Sequence, residues 1–317
     1  MARAASRSNG GCSGSKVSLS DDVRSELAAI APKRECDRRA ELSGLFHSAG
    51  RWHIRGGEVA LHLDLAGSAV ARRAFALLRS FDVDSEIRTY RRRAFDSSTR
   101  YQLHVAGTPR ALNVLHAAGV VDARSRPLGR PPKRLVGRAC CRAALLRGAL
   151  LAAGSVSAPP SAHLELRTET LETAEFLRDL AAREGVSLRV HERRDHALAY
   201  AKAIDDVAGA LALAGASDSA LALEERAVVG ETKARANRQT NADAANLVRT
   251  SRAAHVQLEA VRSLDVDSLP PRLREVAELR LRHPSLPLRE LALKCQPAAS
   301  KAAVHRRLRR IVELANS

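Results

Sequence analysis

Lys301, His305, Arg306, Arg309 and Arg310 are the densest run of side chains able to hold a charged partner, and their spacings of one, three and four residues place them on adjacent strips of a helix. Cations so placed pair with phosphate oxygens, and an arginine can also donate two hydrogen bonds to a guanine edge. Catalytic chemistry is poorly supplied by comparison. His191 and His196 stand five apart across a turn, beside Glu192 and Asp195. That spacing does not put both imidazoles on one face of a strand or helix, so a solvated hairpin is expected instead of a metal centre. The isolated His47, His62, His104 and His116 read as packed or surface residues. The five cysteines, Cys12, Cys36, Cys140, Cys141 and Cys295, have neither CxxC spacing nor a paired pattern. Adjacent cysteines seldom share a metal, so no metal or cofactor is expected, and the thiols read as reduced. Gly10–Lys16 (GGCSGSK) places Ser15 where a phosphate-binding loop requires glycine before its lysine. There is no GxSxG nucleophile elbow.

The charge balance narrows the partner. Lys and Arg number 52 against 35 Asp and Glu, a net +17, with 45 of the cations arginine. Part of that excess fits a GC-rich genome; the remainder points to a polyanion, of which nucleic acid is the commonest. Aromatic residues make up only 3%, too few to stack the bases of a single strand, so duplex DNA is the expected partner. The charge is unevenly spread: +7 over 1–118, +6 over 119–142, −4 over 143–230 and +8 over 231–317. Arg147 and Asp218 interrupt the longest apolar runs, so no membrane span is expected. Residues 1–17 are rich in Ser, Gly and Arg with no apolar segment, and read as a disordered tail and not a signal peptide.

The elements that must position these groups emerge from an internal repeat. Ala40–Gly50 aligns with Ala144–Gly154, matching Leu42, Gly44 and Gly50 to Leu146, Gly148 and Gly154. After each glycine come an extended stretch, a helix, two further strands and a closing helix, and each half is read as αββαββα. A helix carrying Gly44 and Ser48, or Gly148 and Ala152, has a bare strip that admits a second helix closer than the usual 8–10 Å. Close packing is the expected compensation for placing glycine inside a helix. Between the halves, Asp122–Arg138 holds three prolines, two glycines and six basic residues, and reads as a linker or exposed loop.

The last third changes character. Glu231–Leu264 lacks Gly and Pro, predicting a long helix or helix pair with a break or capping point near Thr240, among Asn237, Asn241, Asp243 and Asn246. Lys233, Arg235 and Arg238 are candidate DNA contacts there. Beyond Leu269-Pro270-Pro271, helices are predicted over 272–282, 288–295 and 301–315, the last capped by Ser300 and burying Val304, Leu308, Ile311 and Val312. A short helix, a tight turn and a basic second helix form a helix-turn-helix. Ser300, Lys301, His305 and Arg306 are its expected DNA face, Arg306 the candidate for a guanine, and Arg309 and Arg310 are expected at phosphates.

The expected fold is therefore α+β, two tandem αββαββα repeats followed by an all-α helix-turn-helix domain. Its boundaries fall at 1–17 (tail), 18–118, 119–138 (basic linker), 139–230, 231–264 (connecting helices) and 265–317. Leu146–Gly154 (LRGALLAAG) resembles a degenerate LAGLIDADG motif, and Leu42–Gly50 (LSGLFHSAG) a more eroded one. With Cys140-Cys141-Arg142, Gly154–Ser157, Ala236-Asn237-Arg238, Asn241–Leu247 and the Ser300–Ile311 run, the chain from 18 to 315 resembles the WhiA family. Those bacterial regulators join a LAGLIDADG homing-endonuclease-like domain to a C-terminal helix-turn-helix. The resemblance implies a cytoplasmic, nucleoid-associated transcriptional regulator of sporulation-associated cell division and chromosome segregation, acting on promoter DNA, in some relatives with the WhiB iron–sulfur regulator.

Catalysis is not among its implications. In homing endonucleases of this fold, the acidic residue before the final glycine of each motif binds the divalent metals. Here those positions are Ala49 and Ala153, and a methyl group cannot ligate Mg²⁺. Two alternatives remain open from the residues alone. One is a DNA-cleaving enzyme with displaced ligands such as Asp64 or Glu165, the other a nucleoid scaffold binding DNA without sequence preference.

Overall fold

The computed structural model describes residues 18–55, 58–91 and 99–317; the tail expected over 1–17, with Cys12 and the GGCSGSK run, lies outside them. The chain divides into two units, Met1–Gly230 and Glu231–Ser317. After a leading helix α1 (Leu19–Ala29), the first half runs α2 (Glu35–Ala49), β1 (Gly50–Arg55), β2 (Glu58–Leu65), α3 (Ser68–Arg79), β3 (Glu86–Arg91), β4 (Thr99–Ala106) and α4 (Pro109–Ala117). The second repeats it as α5 (Ala139–Ala153), β5 (Gly154–Ser157), β6 (His163–Thr168), α6 (Leu171–Ala182), β7 (Arg189–Arg193), β8 (His196–Ala201) and α7 (Ile204–Ala214). A long helix α8 (Ser217–Arg262) leads to α9 (Pro271–Arg282), α10 (Leu288–Leu293) and α11 (Lys301–Ala315). The αββαββα repeat and its helical C-terminal unit are thus as expected.

Each half forms a four-stranded antiparallel sheet, ordered β1-β2-β4-β3 and β5-β6-β8-β7. The repeat extends to register: Gly50 pairs with Leu63, and Gly154 with Leu166. Leu61, Leu63, Leu65, Leu103 and Val105 of one sheet and Leu164, Leu166 and Ala199 of the other turn inward, into a single apolar core shared by both halves. Alternation along the strands leaves the polar residues on the opposite faces.

Helices α2 and α5 meet backbone to backbone at the centre. A Cβ built on Gly44 would lie 2.1 Å from the Leu145 carbonyl oxygen, and one on Gly148 2.2 Å from the Glu41 oxygen. No side chain fits there, which is why the repeat keeps glycine at both positions. Glu41, fully buried, accepts from Arg73 Nε at 2.7 Å and from Arg147 Nε at 3.0 Å, while Arg147 Nη1 donates to the Ala214 carbonyl at 3.0 Å. Arg147, which breaks the apolar run of the motif, is therefore the partner of a buried carboxylate across the helix pair.

Three features depart from the sequence expectation. Helix α1 was not foreseen; its Arg24 donates to the Gly154 carbonyl at 2.7 Å, and its Glu26 caps the start of α8 through Asp218 N at 2.9 Å and Ser219 N at 3.0 Å. The basic stretch between the halves is not a loose linker. Gly129 O accepts from Thr170 and Thr173 Oγ1 at 2.9 and 2.6 Å, Val136 is buried, and Arg130 and Lys133 line a cleft with Glu172, Glu175 and Asp179. Its positive charge meets the acidic face of α6. Finally, α8 does not break near Thr240. That hydroxyl donates to the Ala236 carbonyl at 3.1 Å, four residues back, within a continuous helix.

Two consequences are testable. Gly148→Ala forces a methyl into a backbone oxygen and should lower unfolding stability by about 3 kcal/mol or more in urea titration, with Gly44→Ala alike. Burial holds His47 neutral, its pKa lowered from 6.5 to about 4, with Nδ1 donating to the Ser43 carbonyl at 2.9 Å. The unfolded chain takes up that proton first, so stability should be full above pH 6.5 and fall as pH drops towards 4, by up to about 3 kcal/mol from this group. His47→Gln should flatten the slope in denaturation series across that window.

Candidate nucleic-acid interface

The C-terminal unit builds its own core from Val261, Val276, Ala277, Leu291, Val304, Leu308 and Ile311, among others. Pro271 opens α9 at a position where no backbone donor is needed. Ser300 caps α11, its Oγ accepting from Ala303 N at 3.2 Å. Apolar residues at 304, 308 and 311 pull one stripe of α11 inward, while Val312 is only half-buried. Some arginines of this unit serve the fold. Arg280, almost fully buried, closes the turn after α9, its Nη1 donating to Leu286 O at 2.8 Å and to Pro284 O at 3.3 Å. Burial lowers its pKa from the ordinary value. Arg307 is half-buried and pairs with Glu275 at 3.6 Å.

Ser300, Lys301, His305, Arg306, Arg309 and Arg310 are all exposed, and α11 divides them between two strips. His305 and Arg309 line a groove with Arg249, Arg252, Val256 and Val312 of about 390 Å³, and Lys301 and His305 line a second of about 360 Å³ with Asn246, Arg249 and Arg289. Arg306 and Arg310 line neither groove. Arg309 and Arg310 share Glu313, at 3.2 and 3.4 Å, whereas Arg306 makes no ion pair among the described residues. An unpaired arginine near the start of an exposed helix can reach a base edge without first breaking a bond. Lys233, Arg235 and Arg238 are exposed on α8 and are not brought to these grooves. Arg249 and Arg252 escaped the sequence reading because nothing in the order of residues says that this stretch of α8 packs beside α11.

In the first unit, Ala49 and Ala153 end α2 and α5 as half-buried methyls. Asp64 accepts from Tyr90 Oη and Gln102 Nε2 at 3.2 Å each, and Glu165 pairs with His163 at 2.7 Å. Both carboxylates are tied into the outward faces of their own sheets. Arg167, Arg189, Arg193 and Lys202 outnumber Glu165 on or beside the second of these faces, where His163, His191 and Tyr200 line a cleft of about 760 Å³. His191 and His196 lie in the hairpin expected from the sequence, whose register adds a face that their spacing hides. The hairpin pairs Arg193 with His196 and His191 with Leu198, so both imidazoles share one face of the sheet. His53 stacks on His62 across the first face, ring centroids 4.3 Å apart. Desolvation lowers the pKa of His62.

Comparison with known proteins covers nearly the whole chain. Residues 35–120 match the model of the WhiA N-terminal LAGLIDADG-like domain, 142–233 that of the WhiA LAGLIDADG-like domain, and 236–315 that of the WhiA C-terminal HTH domain. The probable cell division protein WhiA of Symbiobacterium thermophilum is 36% identical over 311 residues, covering 95% of this chain and 98% of that one. Its counterpart in Heliobacterium modesticaldum is 34% identical, covering 95% and 97%. The crystal structure of full-length WhiA from Thermatoga maritima is similar in fold, with a TM-score of 0.56 at 21% identity over 94% of this chain and 97% of that one.

Arg280→Met would leave the carbonyls of the α9–α10 turn without their donor. It should lower the local stability of the C-terminal unit by about 1–3 kcal/mol, read as faster hydrogen exchange in α9 and α10 with the first unit unchanged.

Proposed function

This chain belongs to the WhiA family, and from that premise we propose that it is a sequence-specific DNA-binding transcriptional regulator of cell division, without nuclease activity. The observation that carries the reading is α11. It is capped by Ser300, packed on its own core through Val304, Leu308 and Ile311, and free to present Lys301, His305 and Arg306 at its N-terminal half. Arg306 is assigned to a base edge, and Arg309 and Arg310 to phosphates. Lys233, Arg235 and Arg238 are further candidate phosphate contacts.

The outward sheet faces of the first unit are assigned to the DNA backbone. Residues 143–230 sum to −4, but Glu172, Glu175 and Asp179 of that stretch face Arg130 and Lys133, and the outward face of the strands carries Arg167, Arg189 and Arg193 against Glu165. Family membership extends the proposal to promoter targets in sporulation and chromosome segregation, to a cytoplasmic, nucleoid-associated location, and to partnership with a WhiB-like iron–sulfur regulator. Among the described residues no helix is long and apolar enough to cross a membrane.

The full chain should enrich a few fragments from a pool of genomic promoter DNA with Mg²⁺ present and salt varied, leaving the strands intact. Arg306→Ala should weaken those complexes by about 1–3 kcal/mol while leaving bulk DNA affinity nearly unchanged. Mg²⁺-dependent strand breaks would favour a nuclease with displaced ligands. Equal affinity for every fragment would favour a scaffold.

A further inference from the structure

The repeat gathers a second set of chemically capable side chains, at the opposite ends of α2 and α5 from Ala49 and Ala153. Cys36 and Asp37 stand second and third in α2, and Cys140 and Cys141 second and third in α5. The close packing of the two helices brings these pairs together across 104 residues of chain. The three Sγ atoms and one carboxylate oxygen all lie within 4.8 Å of one another. Cys140 Sγ is 3.9 Å from Cys141 Sγ, and Asp37 Oδ1 is 3.5 Å from Cys36 Sγ and 3.7 Å from Cys141 Sγ.

Those separations are the edges of a coordination tetrahedron. With metal–sulfur bonds of about 2.3 Å and metal–oxygen bonds of about 2.0 Å, tetrahedral zinc sets its ligands roughly 3.8 Å apart for sulfur pairs and roughly 3.5 Å for sulfur with oxygen. We propose that Cys36, Asp37, Cys140 and Cys141 form a structural Zn²⁺ site that ties together the N-termini of the two motif helices.

Three thiolates and one carboxylate form a soft, anionic donor set suited to zinc and unsuited to Mg²⁺ or Ca²⁺, and the 4.8 Å limit leaves room for one ion. Four protein ligands close the coordination sphere, the mark of a structural site. The excess negative charge has fixed counterparts. The positive ends of α2 and α5 both lie at the cluster without a side-chain cap, and the cation Arg34 immediately precedes α2. Cys36, Asp37 and Cys140 are only half-buried, which leaves the ion a way in. Such a site would stabilise the folded chain by mass action and clamp the two halves at their shared axis.

The test is elemental analysis of the full-length chain, purified without a histidine tag and under reducing conditions. About one zinc per chain is expected, and its replacement by Co²⁺ should give the visible absorption of a tetrahedral thiolate site. Zinc at a hundred times its dissociation constant should raise Tm by roughly 5–10 °C over the chelator-treated chain. Cys36→Ser and Cys140→Ser should lose zinc to a competing chelator at least about 10-fold more readily, with far-UV circular dichroism unchanged. Asp37→Cys, which completes a four-thiolate set, should hold the ion. The proposal is overturned if the native chain carries less than about a tenth of an equivalent of zinc and takes up neither Zn²⁺ nor Co²⁺. It fails equally if the serine variants keep zinc as tightly as the native chain, or if Cys36 is found in a disulfide with Cys140 or Cys141 in the reduced preparation.

Discussion

The contact on which the first unit depends is the backbone-to-backbone packing of α2 against α5. A Cβ on Gly44 or Gly148 would fall within 2.2 Å of a carbonyl oxygen on the facing helix, a separation that no side-chain rearrangement can relieve. Every other long-range feature of the unit follows from that approach. The two sheets hang from the helix pair with matching registers, and the core between them is continuous. Buried Glu41 then reaches arginines on two other helices, Arg73 of α3 and Arg147 of α5. A buried carboxylate left with one partner fewer would be costly, so the ion network makes the pairing specific as well as close.

The same axis is independent of what stands at the ends of its helices. The packing strip lies at Gly44 and Gly148, while Ala49 and Ala153 stand at the helix ends. Nothing in the helix contact depends on a carboxylate there. The packing of the scaffold and the chemistry of those end positions are separable.

Charge arithmetic needs a structural correction. A balance of +17 suggests a large cationic surface, yet Arg73, Arg147, Arg280 and Arg307 are occupied by buried or half-buried carboxylates and carbonyls. Arg130 and Lys133 face an acidic helix. Exposed cations remain on α11, on stretches of α8, on the outward sheet faces and on the stretch between the halves, where Arg124, Arg126, Arg134 and Arg138 are exposed. Their location, more than their number, is what suits a polyanionic partner.

Much of this was written in the order of residues. The glycine register, the αββαββα repeat, the capping Ser300 and the 304/308/311 stripe are local patterns, and local patterns survive in a string because helix and strand periods are properties of neighbouring residues. The unbroken course of α8 through Thr240, the role of α1 and the order of the basic stretch were not legible, since each depends on which distant group meets it. His191 and His196 share a face only because a two-residue turn sets the hairpin register. Cys36 and Asp37 join Cys140 and Cys141 only because two glycines let their helices touch. Periodicity determined the elements and the exposed face of α11. Tertiary packing decided which arginines are structural and which distant thiols become neighbours, because proximity across 104 residues is fixed by shape complementarity and not by spacing along the chain.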